Sequence, residues 1–239
     1  MRWEIVKMTS EKRSRFIQFL WGSALAIVFI AGFVIWAETD PRSLVRACLE
    51  DGPIEYISAL LFGLTSLGFV IFMGRSRFLR RRTEWWRYVF VICWALLMFV
   101  FMGEEVSWGQ RIFDYETPAS VRDSNVQGEF NIHNYQYVEH QKYRLLSIMM
   151  WVTGFLLPVV ALAGRGRRLF QKLAFPVLPI GYMLLFVGGW IFGKYYYNIL
   201  MYDASSEVRE ILMAIGLFCF ALHGVIRPRD LFRLGPESG

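Results

Sequence analysis

Long runs without a charged residue alternate with short charged segments along the chain. The runs cover residues 16–37, 56–74, 88–103, 145–164, 173–193 and 211–226. A helix needs about 20 apolar residues to cross the hydrocarbon core of a bilayer, which is about 30 Å thick. The third and sixth runs are shorter than this, so we extend them to 86–103 and 209–226. The pattern predicts six transmembrane helices.

The connections between these helices differ in length. The third outer segment, residues 104–144, is long enough to hold structure of its own, whereas the two inner loops are short. We find no internal repeat, no low-complexity tract and no second domain. The prediction is an all-α polytopic membrane protein: one domain over 1–239, a six-helix bundle with a structured outer loop between helices 3 and 4.

Composition and charge support this class. Hydrophobic residues make up 55% of the chain and charged residues 19%, which is too apolar for a soluble domain of 239 residues. The termini and the two short loops contain 18 of the 26 lysines and arginines. The positive-inside rule therefore places both termini in the cytoplasm. The net charge of +6 follows from topology and does not indicate nucleic-acid binding, so membrane lipids are the expected partners.

The motif GEEVSWGQR ends the third predicted helix with two carboxylates. A helix C-terminus disfavours carboxylates by up to about 1 kcal/mol, because the helix dipole is negative there. If the helix continues, Glu104, Ser107, Trp108 and Arg111 share one face, and Glu105 points about a quarter-turn away. Glu104 and Glu105 are then either interfacial charges bonded to Arg111 and water, or catalytic groups together with Arg111.

The motif NVQGEFNIHN, residues 125–134, is a second candidate. Glu129, His133 and His140 are spaced four and seven residues apart, so on a helix they would line one face. With Glu105 they form a possible ligand set for zinc, iron or manganese. The alternative is a hydrogen-bonded structural network, because three asparagines in this window disfavour a helix.

Other polar residues on the outer side extend the candidate site. These candidates are Glu55, Gln110, Asn134, Asp203 and Glu210. Acidic residues at the start of a helix also serve as caps and dipole partners, which is the alternative for Glu55, Asp203 and Glu210. Glu210 precedes a short apolar run and can be drawn into the bilayer edge to meet Glu105. We expect one outer cavity lined by Glu55, Glu105, Glu129, His133 and Glu210.

Three blocks of the sequence, EDGPIEY, GEEVSWGQR and NVQGEFNIHN, resemble a family of bacterial multi-pass inner-membrane proteins. The resemblance implies the helix pattern and the outer-face motifs, and it implies no activity, substrate or cofactor. A looser similarity links the chain to membrane hydrolases of the alkaline ceramidase type. Those enzymes build a metal site from Ser, Asp and His within helices, and this sequence lacks their late His-x-x-x-His pair.

Two function classes follow from these residues. The first is a metal-assisted hydrolase or transferase acting on a lipid or lipid-linked substrate, with clustered carboxylates and a histidine as ligands or acid/base groups. The second is a non-enzymatic membrane-complex subunit or transporter, in which the same residues form a structural network or a cation pathway.

Overall fold

The apolar runs of the sequence form long helices. The computed structural model describes residues 10–49, 51–76, 79, 85–126, 128–132, 135–200, 202–228 and 230–232. Among these residues, five helices are long and apolar enough to cross a membrane: Phe16–Thr39, Pro53–Arg75, Trp85–Glu105, Tyr143–Leu162 and Asp203–Ile226. Ile180–Tyr195 is a shorter apolar helix. The prediction of a helical, multi-pass membrane protein is confirmed, and its six-span count remains a prediction.

The helices are numbered here in chain order. The α-helices of the described residues are α1 (Ser10–Thr39), α2 (Pro41–Ala47), α3 (Pro53–Arg75), α4 (Val89–Glu105), α5 (Gln110–Phe113), α6 (Ala119–Arg122), α7 (Gln136–Trp151), α8 (Leu157–Leu162), α9 (Gly164–Lys172), α10 (Met183–Tyr195) and α11 (Tyr202–Ile226). Short 3-10 turns lie at Trp85–Tyr88, Ser107–Gly109, Ile180–Tyr182 and Asp230–Phe232. A π-helical turn, Val152–Leu156, joins α7 to α8.

The local sequence determines where α2 and α3 begin. Asp40 accepts a hydrogen bond from the Ser43 backbone N–H at 3.0 Å, and Pro41 occupies the first turn of α2, where its missing N–H costs nothing. Pro53 opens α3 in the same way after Gly52. A proline at the first helical position fixes each start.

Helix α3 is the centre of the bundle, with α4 and α11 packed against it. Phe69 of α3 lies between Trp94 of α4, with ring centroids 6.0 Å apart, and Phe220 of α11, at 5.3 Å. The Ser66 hydroxyl donates to the Ala95 carbonyl at 2.8 Å, which ties α3 to α4. These contacts run antiparallel between α3 and α4 and parallel between α3 and α11.

The fifth apolar run departs from its prediction. We expected a helix over 173–193, but the helical turn begins only at Ile180, and α10 follows from Met183. Pro176 and Pro179 interrupt the run, because proline has no backbone N–H and disfavours helix in the residue before it. The irregular backbone is buried, and the Val177 N–H donates to the Leu231 carbonyl at 2.9 Å.

The two ends of the bundle carry opposite charge. The N-terminal ends of α3 and α11 and the C-terminal end of α4 meet at what we name the acidic end, which carries Glu55, Glu105, Glu207 and Glu210. The opposite end, the basic end, carries Arg75, Arg165, Arg167, Arg168 and Arg227. The candidate chemistry lies at the acidic end.

Candidate functional site

Helix α4 stops at Glu105 instead of continuing through its motif. Ser107, Trp108 and Gly109 have positive φ angles of 45°, 54° and 80°, which form a left-handed turn. The left-handed conformation costs an L-residue roughly 1–2 kcal/mol, so the first two positions need compensating contacts. The predicted common face of Glu104, Ser107, Trp108 and Arg111 does not form, because the helix ends before it.

The Glu104 carboxylate is buried between two hydrogen-bond donors. Its Oε1 atom accepts from Trp108 Nε1 at 2.7 Å, and its Oε2 atom accepts from the Ile132 backbone N–H at 2.6 Å. Gly103 allows the Trp108 ring to fold back on the helix, since a Cβ at this position would lie 2.9 Å from the ring. Glu104 therefore binds the two sequence motifs together.

The second motif meets the turn through its own side chains. Ser107 Oγ donates to Glu129 Oε2 at 2.5 Å, and Asn131 Nδ2 donates to both, at 3.0 Å to Ser107 Oγ and 3.1 Å to Glu129 Oε2. Asn125 Nδ2 in turn donates to the Asn131 carbonyl and side-chain oxygens, each at 2.9 Å. We name Glu104, Ser107, Asn125, Glu129 and Asn131 the outer-loop network, after the predicted position of the loop between helices 3 and 4.

Further contacts fix the outer loop around this network. The Gln110 side chain accepts from the Phe130 N–H at 2.8 Å and donates to the Thr117 hydroxyl at 2.7 Å. The Tyr115 hydroxyl lies 3.3 Å from the Ser107 and Trp108 carbonyls. The described residues of the second motif, 125–126 and 128–132, are not helical. The helical face predicted for Glu129 and the histidines is therefore wrong for Glu129.

Glu105 turns the other way, into the bundle. Its side chain makes a hydrogen bond with Glu210 of α11 and lies close to Glu207 of α11 and Glu55 of α3. We name Glu55, Glu105, Glu207 and Glu210 the carboxyl cluster. Three members of the predicted cavity, Glu55, Glu105 and Glu210, thus come together. Glu207 joins them, and Glu129 bonds within the outer-loop network instead.

Cys48, the residue that follows α2, lies close to the carboxyl cluster. Burial, and then the nearby carboxylate of Glu207, raise the pKa of the Cys48 thiol to about 12. On α3, Glu55 Oε2 accepts from the Asp51 N–H at 2.6 Å, and Asp51 Oδ1 accepts from the Tyr56 hydroxyl at 3.1 Å. Glu55 lies in the first turn of α3, where a carboxylate interacts favourably with the helix dipole, as in the dipole-partner alternative.

Arg209 is a buried cation that the sequence reasoning missed. It lies between Glu207 and Glu210 in the sequence but faces α7 and α10, where Nη1 is 3.4 Å from Ser147 Oγ and the guanidinium lies 5.8 Å from the Tyr143 ring centroid. Its side chain passes over Gly193, where an added Cβ would lie 2.5 Å from Arg209 Cδ. The signal in the sequence was a lone arginine at the start of an apolar run.

The remaining candidates occupy separate positions. Asp203 accepts a hydrogen bond from the Tyr143 hydroxyl at 2.9 Å. His133 and Asn134 lie outside the described residues, as do the side chains of Arg111 and His140. Among the described residues, no group of three His, Cys, Asp or Glu side chains is arranged to hold a metal ion.

One further carboxylate, Asp230, lies at the basic end. It accepts from Gln18 Nε2 at 2.8 Å, and His223 Nε2 is 3.3 Å away. Burial alone would raise the pKa of Asp230, but the hydrogen bonds from His223 and Gln18 and the charges of His223 and Arg227 outweigh it and lower the pKa below 3.8. His223 thus takes part in a contact at the basic end, far from the carboxyl cluster.

Comparison with known proteins returns no match: no family model matches the sequence, and no curated protein or solved structure matches it.

Proposed function

We propose that the protein is a six-span protein of the bacterial inner membrane, with both termini cytoplasmic and the acidic end outside. The five long helices, the short apolar helix after Pro179 and the basic residues of the inner segments support this topology. Reporter fusions after Arg82 and after Asp123 should give opposite signals. The same signal from both fusions would contradict the orientation.

The function that the geometry supports best is reversible proton binding at the carboxyl cluster, within a transporter or a subunit of a larger membrane complex. One observation carries it: the side chains of Glu105 and Glu210 are hydrogen-bonded to each other. A carboxylate only accepts, so two carboxyl groups can form this bond only when one of them holds a proton. Ionisable groups inside a membrane bundle commonly mark such ion or proton sites.

The two halves of the acidic end divide the roles that the sequence left open. Glu104 and Glu129 take their hydrogen bonds from Trp108, Ile132, Ser107 and Asn131, which supports a structural role. Glu105 and Glu210 face other carboxyl groups, where releasing a proton adds negative charge beside Glu207 and Glu55. The cluster is therefore the place where a proton or another small cation has the largest electrostatic effect.

Infrared spectroscopy tests this proposal on the purified protein in detergent. The carbonyl stretch of the carboxyl that holds the shared proton should still be present at a pH where exposed carboxyl groups are ionised, and it should disappear at higher pH. Glu105→Gln and Glu210→Gln should each remove this band. Asp203→Asn is the matched control on α11, because Asp203 is bonded to the Tyr143 hydroxyl, and it should leave the band unchanged. A band that survives both cluster variants would contradict the proposal.

Elemental analysis separates this proposal from the metal-assisted hydrolase or transferase predicted from the sequence. Under our proposal, Glu105→Gln and His133→Ala leave the metal content of the purified protein unchanged. A stoichiometric divalent metal that is lost in both variants would favour the enzyme. It would also replace the shared proton by a metal ion as the charge that the cluster holds.

A further inference from the structure

Ser58 is a fully buried hydroxyl with no hydrogen-bond partner among the described residues. It lies on α3, three residues after Glu55 and therefore on the same face, and its exposed fraction is 0%. Buried polar groups are nearly always bonded, and one that is not requires an explanation.

The neighbouring hydroxyls of α3 make the bonds that Ser58 lacks. Thr65 is also 0% exposed and lies seven residues further along the same face, and its Oγ1 donates to the Leu61 carbonyl of its own helix at 2.6 Å. Ser66 donates across to α4. Ser58 does not bond back to its own helix, so its hydroxyl remains available to the interface with α4 and α11.

Helix pairing places Ser58 at the level of the carboxyl cluster. Phe62 of α3 meets Phe101 of α4, and the two helices are antiparallel, so four residues towards the start of α3 correspond to four towards the end of α4. This step leads from Phe62 to Ser58 and from Phe101 to Glu105. Gly68 meets Ala221 of the parallel helix α11, and ten residues earlier on each helix lie Ser58 and Ile211, next to Glu210.

We propose that Ser58 is the hydrogen-bond donor that stabilises the carboxyl cluster after its shared proton leaves. The inference rests on the proposed proton site and adds a positioning residue to it. The proton passes from the Glu105–Glu210 pair to water, and Ser58 keeps its own proton while its O–H turns towards the new carboxylate. A hydrogen bond to an ionised acceptor is about twice as strong as one between neutral groups.

The charges around the pair leave room for such a donor. Helix α3 contributes Glu55 and helix α11 contributes Glu207 to the surroundings of Glu105 and Glu210, so both neighbours are themselves carboxyl groups. From α2, the buried Cys48 thiol lies near Glu207. Two charged residues next to cluster members in the sequence point away from the cluster. Glu104 faces the loop that carries Ile132, and Arg209 faces α7 and α10.

The experiment is the same infrared titration with variants of α3. Ser58→Ala should move the midpoint of proton release to higher pH by about one unit, which is about tenfold in proton affinity, because the ionised form loses its donor. Ser58→Thr keeps the hydroxyl and should restore the wild-type midpoint. Thr65→Val removes a hydroxyl of equal burial from the same helix face and should not move it.

Each outcome decides a different statement. A Ser58→Ala midpoint equal to that of the wild type and Thr65→Val overturns the role of Ser58 and leaves the proton site intact. Equal shifts in Ser58→Ala and Thr65→Val also overturn it, because they indicate a general effect of packing in α3. A wild-type spectrum without a band that depends on Glu105 overturns the proposed function, and the inference falls with it.

Discussion

Glu104 and Glu105 are consecutive residues of one helix, yet their surroundings are opposite. Glu104 is enclosed by donors, a tryptophan ring nitrogen and a backbone amide, while Glu105 meets other carboxyl groups. A step of about 100° around α4 separates the two environments. Adjacent acidic residues thus need not have the same role. The hydrogen-bond donors around each side chain indicate which role it has.

The energetic consequence differs between the two regions. In the outer-loop network, Glu104 and Glu129 accept hydrogen bonds from N–H and O–H groups, which offset the cost of burying their oxygens. In the carboxyl cluster, each proton that leaves adds repulsion between neighbours. Donors thus surround the carboxyl groups of the network, whereas in the cluster carboxyl groups lie close to one another.

The largest expected contrast is between Glu104→Gln and Glu105→Gln. Glutamine has one acceptor oxygen, so at position 104 its NH₂ group faces a donor and the variant loses about 1–3 kcal/mol of stability. At position 105 the neutral amide relieves repulsion, and the melting temperature should stay equal or rise. Thermal unfolding in detergent measures both. An equal loss of stability in both variants would contradict the different roles of Glu104 and Glu105.

The contact of Gly103 with Trp108 gives a second test of the structural role of Glu104. Gly103→Ala places a Cβ 2.9 Å from the Trp108 ring, which should cost about 1–3 kcal/mol and loosen the outer-loop network. Gly32→Ala in α1 is the control, because no atom lies within 4 Å of its Cβ, and better helix propensity should raise stability slightly. Hydrogen exchange at the Ile132 amide should rise only in Gly103→Ala. Protection that is equal in the two variants would contradict this role.

At the basic end, the carboxylate of Asp230 should have a smaller effect on stability than Glu104. Its pKa is lowered in the folded protein, so its contribution is present above about pH 3.8 and is lost as the pH falls below that value. Asp230→Asn should therefore cost on the order of 1 kcal/mol at neutral pH and progressively less in acid. Melting temperatures of both proteins across this range give the answer. A gap that widens in acid would show that the carboxylate lacks its donors.

The smallest effect concerns Cys48, whose pKa of about 12 leaves almost no thiolate at neutral pH. Alkylation by N-ethylmaleimide at pH 8 should be slow in the folded protein and fast after denaturation. Glu207→Gln removes a nearby negative charge and should increase the folded rate modestly. If the folded and denatured rates agree, Cys48 is not buried beside the cluster.

The sequence predicted most of the helices because a bilayer leaves little choice. Four of the uncharged runs, two of them extended into polar flanks, became α1, α3, α4 and α11, and Pro53 at the first helical position marks the start of α3. The fifth run failed as a full helix because Pro176 and Pro179 outweigh its apolar composition. The length and hydropathy of a run determine whether a helix forms, and single residues such as proline determine where it begins and ends.

The site was harder to predict because its contacts join distant residues. The sequence placed Glu105 a quarter-turn from Glu104 and paired it with Glu210, as the structure has it. It gave no sign that Ser107 and Trp108 adopt left-handed angles, because neither residue favours them. Helical spacing made Glu129 a candidate metal ligand, with a hydrogen-bonded network as the alternative, and in the structure Glu129 accepts a hydrogen bond from Ser107. Arg209 was hidden by its acidic neighbours in the sequence.

The left-handed turn after α4 has a consequence for biosynthesis. Ser107 is held by Glu129, 22 residues further along the chain, so the partner does not yet exist when α4 leaves the ribosome. At about 5–20 residues per second, the ribosome needs roughly 1–4 s to deliver it. During that interval the turn lacks the hydrogen bond that holds Ser107 in the folded protein. The turn after α4 can therefore close only once the loop that carries Glu129 and Asn131 has been made.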